Sequence, residues 1–275
     1  MHLLRIAHLA VWEWPGAANV SGAPILFTHA TGFHGRLWDR IIERLPNRRC
    51  IAIDLRGHGR SDKDLPSYDW RRFGEDTALV AKELALSGAV GVGHSLGGHA
   101  MALAAAMEPA AFSSLLLIDP VIQMPDLYDG HAKEVDFIAR RRMRWKSPEE
   151  MYDRFCTRAP FSRWKPEILH DYCEYGLLPD GDEFVLACPP QIEATIYERS
   201  NWPDADISAE LSTIQTATTV MRSEKLMTRE KFDLSASATD PNLASRMPNA
   251  RDIYVPESSH FIPMEQPKLI IDALK

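Results

Sequence analysis

The fold is decided by residues 89 to 107, AVGVGHSLGGHAMALAAAM. The first six residues are apolar, glycine or histidine, as in a buried strand, and the small-residue run after Leu96 is typical of a helix. Between them lies GHSLG (93–97), a G-x-S-x-G pattern that gains meaning from this strand-to-helix context. Gly93 and Gly97 allow a tight turn that lifts Ser95 out at the carboxyl end of the strand. We therefore predict that Ser95 is a nucleophile; the structural alternative is a glycine-rich turn with an unreactive serine.

Strand and helix signals alternate on both sides of this stretch. Strands are predicted at 8–14, 24–30, 50–57, 114–121, 216–222 and 250–257, with helices at 68–86 and 263–275. Near-continuous apolar strands alternating with helices predict an α/β fold, in which a mainly parallel sheet is covered by helices on both faces.

The alternation breaks between residues 123 and 206, a span rich in charged and aromatic residues. Ser147 and Glu150 around Pro148 form a capping box, and several short amphipathic helices are expected here. We interpret 123–206 as a helical lid (cap) inserted over one end of the sheet. Residues 1–122 and 207–275 then form the core.

Composition excludes several classes of protein. With 275 residues and a net charge of −7, the chain has no general attraction for phosphate backbones or anionic lipid, so neither nucleic acid nor membrane is an expected partner. Four widely spaced cysteines without a C-x-x-C pair indicate neither a zinc site nor a disulfide framework. Leu96 replaces the third glycine of a dinucleotide fingerprint. We expect no metal or organic cofactor, a cytoplasmic location, and a monomer or homodimer.

A serine hydroxyl needs a base within hydrogen-bond reach. His260 follows the last strand signal and precedes the terminal helix, so its loop should emerge at the same sheet edge as Ser95. Among the ten histidines, His94 is expected to point away from Ser95, His99 lies in the helix, and His58 is expected to be structural. We predict His260 as the base; a solvated loop histidine is the alternative.

Four motifs together resemble a known family. They are HATGFHGRLW (29–38), DLRGHGRSD (54–62), GHSLGG (93–98) and SSHFIPMEQP (258–267). They are similar to the α/β-hydrolase fold, in its lid-bearing branch of serine hydrolases that includes esterases and lactonases. The resemblance covers nearly all of the sheet and leaves the lid unmatched. It implies an eight-stranded type of sheet with the lid inserted after the sixth strand.

The resemblance also implies an oxyanion hole. By alignment of the first motif, the backbone N–H groups of Thr31 and Leu96 take this role, and such donors stabilise charge that develops on a carbonyl oxygen. Ala30 departs from the family pattern, which has glycine after the histidine.

The family commonly places its acid in the loop after the next-to-last strand, where this sequence has Leu226. Two carboxylates could replace it. Asp119 ends the strand that follows the nucleophile's helix, in a run otherwise fit for burial, where a lone charge would be costly. Glu224 is the runner-up, although beside Arg222 it readily forms a surface ion pair. We predict Asp119 as the acid; a turn-starting aspartate before proline is the alternative.

These residues predict a serine hydrolase that cleaves a carboxylic ester or lactone with a small hydrophobic acyl group through an acyl-enzyme. A carbon–carbon hydrolase, an amidase and a non-catalytic receptor stay open, whereas a serine nucleophile argues against dehalogenase and epoxide hydrolase chemistry. Candidate pocket residues are Phe33, His34, Met143, Trp145, Trp164 and Phe261, although side chains of this kind also pack lids on cores. Arg140, Arg141, Arg142 and Arg144 could bind a substrate carboxylate or form a solvated helix face.

Overall fold

A computed structural model describes residues 1–17, 20, 22–131, 135–224 and 233–275. Within these ranges eight strands form one sheet in the order β1-β2-β4-β3-β5-β6-β10-β11. The strands are β1 His2–Ile6, β2 Leu9–Trp14, β3 Ile25–Thr28, β4 Cys50–Asp54, β5 Ala89–His94, β6 Phe112–Ile118, β10 Ala217–Ser223 and β11 Ala250–Val255. The pairings of β1 with β2 and of β2 with β4 are antiparallel, and the others are parallel. The predicted α/β fold with a mainly parallel sheet is confirmed.

Helices cover the sheet on both faces. The helices of the described residues are α1 Asp39–Ile42, α2 Trp70–Glu83, α3 Leu96–Met107, α4 Asp136–Ala139, α5 Pro148–Phe155, α6 Pro166–Tyr175, α7 Pro190–Glu198, α8 Ser208–Leu211, α9 Ile262–Glu265 and α10 Pro267–Leu274. Leu26 of β3 packs in one buried cluster with Phe73 of α2 and Leu103 of α3. Its neighbour Phe27 lies in the opposite cluster with Ile270 of α10. This alternation along β3 is what a strand buried on both faces requires. In the described part of the chain no helix is long and apolar enough to cross a membrane.

Two predicted boundaries differ from the structure. Strand β1 is absent from the sequence-based prediction, because this edge strand is mostly exposed and lacks an apolar run. The terminal helix predicted at 263–275 is divided into α9 and α10 at Gln266. A proline follows at 267, and proline disfavours helical geometry in the residue before it.

The segment between β6 and β10 holds more than helices. Helices α4 to α8 are accompanied by a three-stranded antiparallel sheet, β7-β9-β8, formed by β7 Arg144–Trp145, β8 Leu177–Asp180 and β9 Glu183–Leu186. The expectation of helices alone was therefore incomplete. The short β8–β9 hairpin turns at Gly181, which has a left-handed conformation (φ 64°). Arg40 of α1 binds Asp171 of α6 with two hydrogen bonds, which ties this segment to the sheet's helices.

Buried histidines make the stability of this fold depend on pH. Burial lowers the pKa of His99 in α3 from 6.5 to about 4. Burial likewise lowers the pKa of His34 to about 4 and the pKa values of His29 and His94 to about 3. The unfolded chain binds these protons near pH 6.5, whereas the folded chain does not. Stability is thus fully present above about pH 6.5 and falls as the pH drops from there toward 4.

We expect His99→Gln to flatten this dependence. The glutamine amide can still donate to the Ala205 carbonyl oxygen that His99 Nε2 contacts at 2.8 Å. Between pH 6 and 5 the slope of the free energy of unfolding should fall by up to about 1.4 kcal/mol per pH unit, the share of one proton. Urea denaturation at pH 7.5, 6 and 5 measures the slope, with His170→Gln, whose side chain is 61% exposed, as the control. Equal slopes for both variants would contradict the prediction.

Candidate active site

Ser95 sits at the turn between β5 and α3 in a conformation that few residues adopt, with φ 58° and ψ −121°. The surrounding backbone is too close for side chains at the flanking glycines. A Cβ on Gly97 would lie 2.4 Å from the carbonyl oxygen of Thr28, and one on Gly93 would lie 2.4 Å from that of Gly97. The pattern G-x-S-x-G is therefore a steric requirement of this turn, which holds Ser95 at the amino end of α3.

Three side chains from distant parts of the chain meet at this turn. The Oγ atom of Ser95 lies 2.8 Å from Nε2 of His260, and Nδ1 of His260 lies 2.6 Å from Oδ2 of Asp119. All three are buried, with 4%, 8% and 0% of their surface exposed. They come together because β5, β6, β10 and β11 are parallel neighbours, so that their carboxyl ends share one edge. The structure thus brings together the three residues singled out from the sequence.

The Asp119 carboxylate is surrounded by donors besides His260. The backbone N–H and the hydroxyl of Ser223 donate to it, and so does the hydroxyl of Ser237. Burial alone would raise the pKa of Asp119, but the hydrogen bonds from His260, Ser223 and Ser237 hold it below its usual value. Asp119 is therefore a carboxylate, able to accept the Nδ1–H of His260 and to stabilise an imidazolium.

The alternative acid does not reach His260. Glu224 is exposed and accepts the backbone N–H of Glu257 at 3.2 Å. Arg222, the expected ion-pair partner of Glu224, binds Asp252 with two hydrogen bonds. Leu226, where the family pattern would place its acid, lies outside the described residues.

The neighbouring histidine His94 contacts the base rather than the nucleophile. Its Nε2–H donates to the backbone oxygen of His260 at 2.8 Å, and the two rings lie 5.1 Å apart. Because burial lowers the pKa of His94 to about 3, its ring stays neutral. His94 therefore links the strand that carries Ser95 to the loop that carries His260.

Thr31 and Leu96 both lie beside Ser95 and are buried. Leu96 opens α3, where backbone N–H groups have no intrahelical acceptor, and Thr31 lines the same pocket as Ser95. Among the described residues, neither backbone N–H has a hydrogen-bond acceptor. Two amides without acceptors beside a serine can stabilise a negative oxygen.

The loop that carries Thr31 is fixed from two sides. The backbone N–H of Gly32 donates to Nε2 of His58 at 2.9 Å. On the other side a Cβ on Gly32, whose φ is 80°, would lie 2.6 Å from Oε1 of Glu193 in α7. Both carboxylate oxygens of Glu193 in turn accept hydrogen bonds from the Arg141 guanidinium. The Thr31 loop is therefore held between the β4–α2 connection and a partly buried ion pair of the inserted segment.

A pocket of about 410 Å³, including its open mouth, reaches Ser95 and His260. Its other lining residues are Thr31, Trp70, Val121, Tyr197, Ser200, Leu234, Ala236 and Ala238. Tyr197 and Ser200 come from the inserted segment, and most of the remaining wall is apolar. This wall suits a small apolar group beside the serine.

None of the six predicted pocket residues is among those that line this pocket at Ser95. Phe33, Trp145, Trp164 and Phe261 are buried in an aromatic cluster, His34 stacks on Tyr172, and Met143 is 37% exposed. These side chains pack the inserted segment on the core, since aromatic groups bury the most area per residue. The lining includes Tyr197, Ser200, Leu234, Ala236 and Ala238, and no motif identifies these five residues in the sequence.

The four arginines between residues 140 and 144 are all paired with carboxylates. Arg140 binds Asp136, Arg141 binds Glu193, Arg142 binds Glu150, and Arg144 binds Asp180 and Glu183. Arg141 is the exception to the expected solvated face, because its partner Glu193 is buried. None of the four lines the pocket at Ser95.

All four cysteines are free thiols. In the described ranges no group of three or more histidine, cysteine, aspartate or glutamate side chains is arranged to hold a metal ion.

Comparison with known proteins identifies the family. The model of the alpha/beta hydrolase family matches residues 25–273. The chain is 37% identical over 100 residues to 2-(acetamidomethylene)succinate hydrolase of Mesorhizobium japonicum, a match that covers 36% of each protein. It is 32% identical over 127 residues to the bifunctional esterase/perhydrolase DCH of Acinetobacter calcoaceticus, covering 44% of this chain and 41% of that one. The chain thus matches well under half the length of these two relatives.

Solved structures show the same fold over the whole length. The crystal structure of E-2-(acetamidomethylene)succinate hydrolase superposes with a TM-score of 0.77 at 22% identity, covering 99% of this chain and 98% of that one. The motifs at 29–38, 54–62, 93–98 and 258–267 fall within the matched family range. Because that range spans most of the sequence, the chain belongs to the alpha/beta hydrolase family.

Proposed function

We propose that this protein is a serine hydrolase that cleaves a carboxylic ester or lactone through an acyl-enzyme intermediate. The observation that carries the proposal is the unbroken relay from Ser95 through His260 to Asp119, with hydrogen bonds of 2.8 and 2.6 Å. Buried polar groups can also form such a relay for structural reasons alone. A structural relay, however, does not need a serine at φ 58° beside two amides that have no acceptor among the described residues. The esterase among the relatives also supports this reaction.

In the proposed mechanism the Oγ of Ser95 attacks the substrate carbonyl while Nε2 of His260 takes its proton. Asp119 stabilises the imidazolium that forms. The backbone N–H groups of Thr31 and Leu96 donate to the oxyanion, each worth about 3 kcal/mol of barrier in comparable sites. His260 then returns the proton to the leaving alcohol, and water hydrolyses the acyl-enzyme by the same steps.

We further propose that residues 123–206 act as a lid on the core formed by 1–122 and 207–275. Tyr197 and Ser200 support this division, because they bring the inserted segment to the wall of the pocket that contains Ser95. Such a segment would control which acyl compounds reach the serine.

A fluorophosphonate probe tests the proposal directly. The folded protein should react rapidly, and mass spectrometry should place the label on the peptide that contains Ser95. The heat-denatured protein, in which the relay is absent, is the control and should not react. A folded protein that stays unlabelled would contradict the proposal and favour a non-catalytic binder.

A substrate panel then separates the possible reactions. It contains short-chain and aryl esters, lactones, amides, vinylogous diketones and 2-(acetamidomethylene)succinate. The last compound is included because of the relative named for it. Fastest turnover of esters or lactones supports the proposal, whereas fastest turnover of an amide or a diketone would replace it with amidase or carbon–carbon hydrolase activity.

A further inference from the structure

The carboxylate of Asp119 is held by two serines from different segments. Oδ2 accepts from Nδ1 of His260 at 2.6 Å and from the Ser223 hydroxyl at 3.1 Å. Oδ1 accepts from the Ser223 backbone N–H at 2.9 Å and from the Ser237 hydroxyl at 2.7 Å. Thr239 also approaches Oδ1, at 3.3 Å, but its single hydroxyl proton has a closer acceptor in the Pro120 oxygen at 2.7 Å. Ser223 ends β10, whereas Ser237 lies in the following connection.

Asp119 needs these hydrogen bonds because its own backbone conformation is unfavourable. It has a φ of 41°, a left-handed conformation that is unfavourable for most side chains, and it is completely buried. Its rotamer therefore depends on its hydrogen-bond partners. Of these, His260 takes part in proton transfer, and the Ser223 amide is fixed by the sheet. Among the groups that take no part in the relay, the Ser237 hydroxyl makes the shortest hydrogen bond to Asp119.

We infer that Ser237 is a positioning residue, which holds Asp119 in the rotamer that receives His260 and weakens the basicity of the carboxylate through its hydrogen bond. This inference rests on the proposed function of the Ser95, His260 and Asp119 relay. Under this inference Ser237, which lies outside the relay, helps to set the geometry and the pH dependence of the relay.

The pH effect has a definite sign. A hydroxyl that donates to Asp119 draws electron density from the carboxylate, so its removal makes the carboxylate attract the His260 proton more strongly. The acid limb of kcat/KM should then move to higher pH. Within the described ranges, the other charged or titratable groups that face the pair are His94 and Arg222. His94 stays neutral because burial lowers its pKa to about 3, and Arg222 stays charged beside Asp252, so neither changes state in the range measured.

The test compares three variants of the full chain on an ester substrate. Ser237→Ala should lower kcat about tenfold with KM within about twofold, as expected when a catalytic group is slightly misplaced. It should also move the acid limb upward by roughly half a pH unit. Ser237→Thr keeps the hydroxyl and should restore kcat to within about threefold. Ser235→Ala is the matched control, because its hydroxyl, in the same connection, contacts Asp233 instead.

A spectroscopic measurement tests the inference without turnover. The Nδ1 proton of His260, in a short bond to a buried carboxylate, should give a downfield proton resonance that His260→Gln removes. Ser237→Ala should shift this resonance, and Ser235→Ala should leave it in place. If the native protein proves inactive, the proposed function fails, while this resonance still decides whether Ser237 acts on the pair.

The inference is overturned if Ser237→Ala keeps kcat within threefold and leaves both the acid limb and the resonance unmoved. A loss of kcat without movement of either also overturns it, since that result describes general destabilisation. Should Ser237→Ala fail to fold, Ser237→Cys, which keeps a side-chain donor that is weaker than a hydroxyl, is judged by the same measurements.

Discussion

Replacement of Ser95 by alanine is expected to lower kcat for ester hydrolysis by about a million-fold. His260 Nε2 contacts the Ser95 oxygen at 2.8 Å, and alanine leaves this base with only water to activate. The two amides of Thr31 and Leu96 remain, so a small rate above that of the uncatalysed reaction should persist. Initial rates with a chromogenic ester, corrected for spontaneous hydrolysis, measure the loss.

Substrate binding and folding should survive this change. Ser95→Ala removes one oxygen and keeps the same Cβ, so the free energy of unfolding should change by less than about 1 kcal/mol. Ser113→Ala, which removes a hydroxyl from β6 far along the strand from the site, is the control and should keep native activity. A kcat for Ser95→Ala within tenfold of the native value would mean that the nucleophile lies elsewhere.

Asp119→Asn is expected to lower kcat by about ten thousand-fold. Both carboxylate oxygens of Asp119 accept from N–H donors, Oδ1 from the Ser223 amide and Oδ2 from His260. An asparagine has one oxygen and one NH2 group, so it cannot accept from both. The Ser223 amide cannot rotate, whereas the His260 ring can change its tautomer.

The asparagine oxygen should therefore face Ser223, and its NH2 group should face His260. The ring then accepts at Nδ1 and carries its proton on Nε2, where it donates to Ser95 instead of removing its proton. The base is lost although the geometry is kept. A chromogenic ester assay measures the drop, and thermal unfolding shows whether the fold is intact.

Glu224→Gln is the matched control for the acid. Glu224 is exposed and accepts the backbone N–H of Glu257, so the variant should keep kcat within about twofold, since exposed polar contacts contribute little. A large loss in Glu224→Gln together with near-native activity in Asp119→Asn would transfer the acid role to Glu224.

Much of this arrangement could be predicted because its signals are local. Gly93 and Gly97 flank Ser95 within five residues, and a Cβ at either glycine would lie 2.4 Å from a backbone oxygen, which explains why no other residue fits there. His260 is recognisable from its place after the last strand, and Asp119 from a charge inside an apolar run. In each case a single short segment holds the information.

The remainder depends on contacts between distant segments. Ser223 and Ser237 donate to Asp119 across more than 100 residues of sequence, and neither differs in its local pattern from an ordinary loop serine. Hydroxyl residues alternate with alanine at 235–239. This pattern indicates partners for Asp119 only once that loop is known to lie beside β6. The predicted pocket residues differ from those that line the pocket at Ser95 for the same reason. Most of them are large aromatic residues that pack in the cluster around Trp164, whereas smaller residues such as Ala236 line this pocket.

The contact between Glu193 and Gly32 restricts how the inserted segment can be exchanged between homologues. In a chimera, the foreign segment supplies another side chain at the position of Glu193. Where it also lacks a cation at the position of Arg141, a carboxylate there is left unpaired. An uncompensated carboxylate or a bulkier group would press on the glycine next to Thr31 and displace that amide. Swaps intended to alter selectivity alone will thus change the rate as well, unless the arginine and the glutamate are transplanted together.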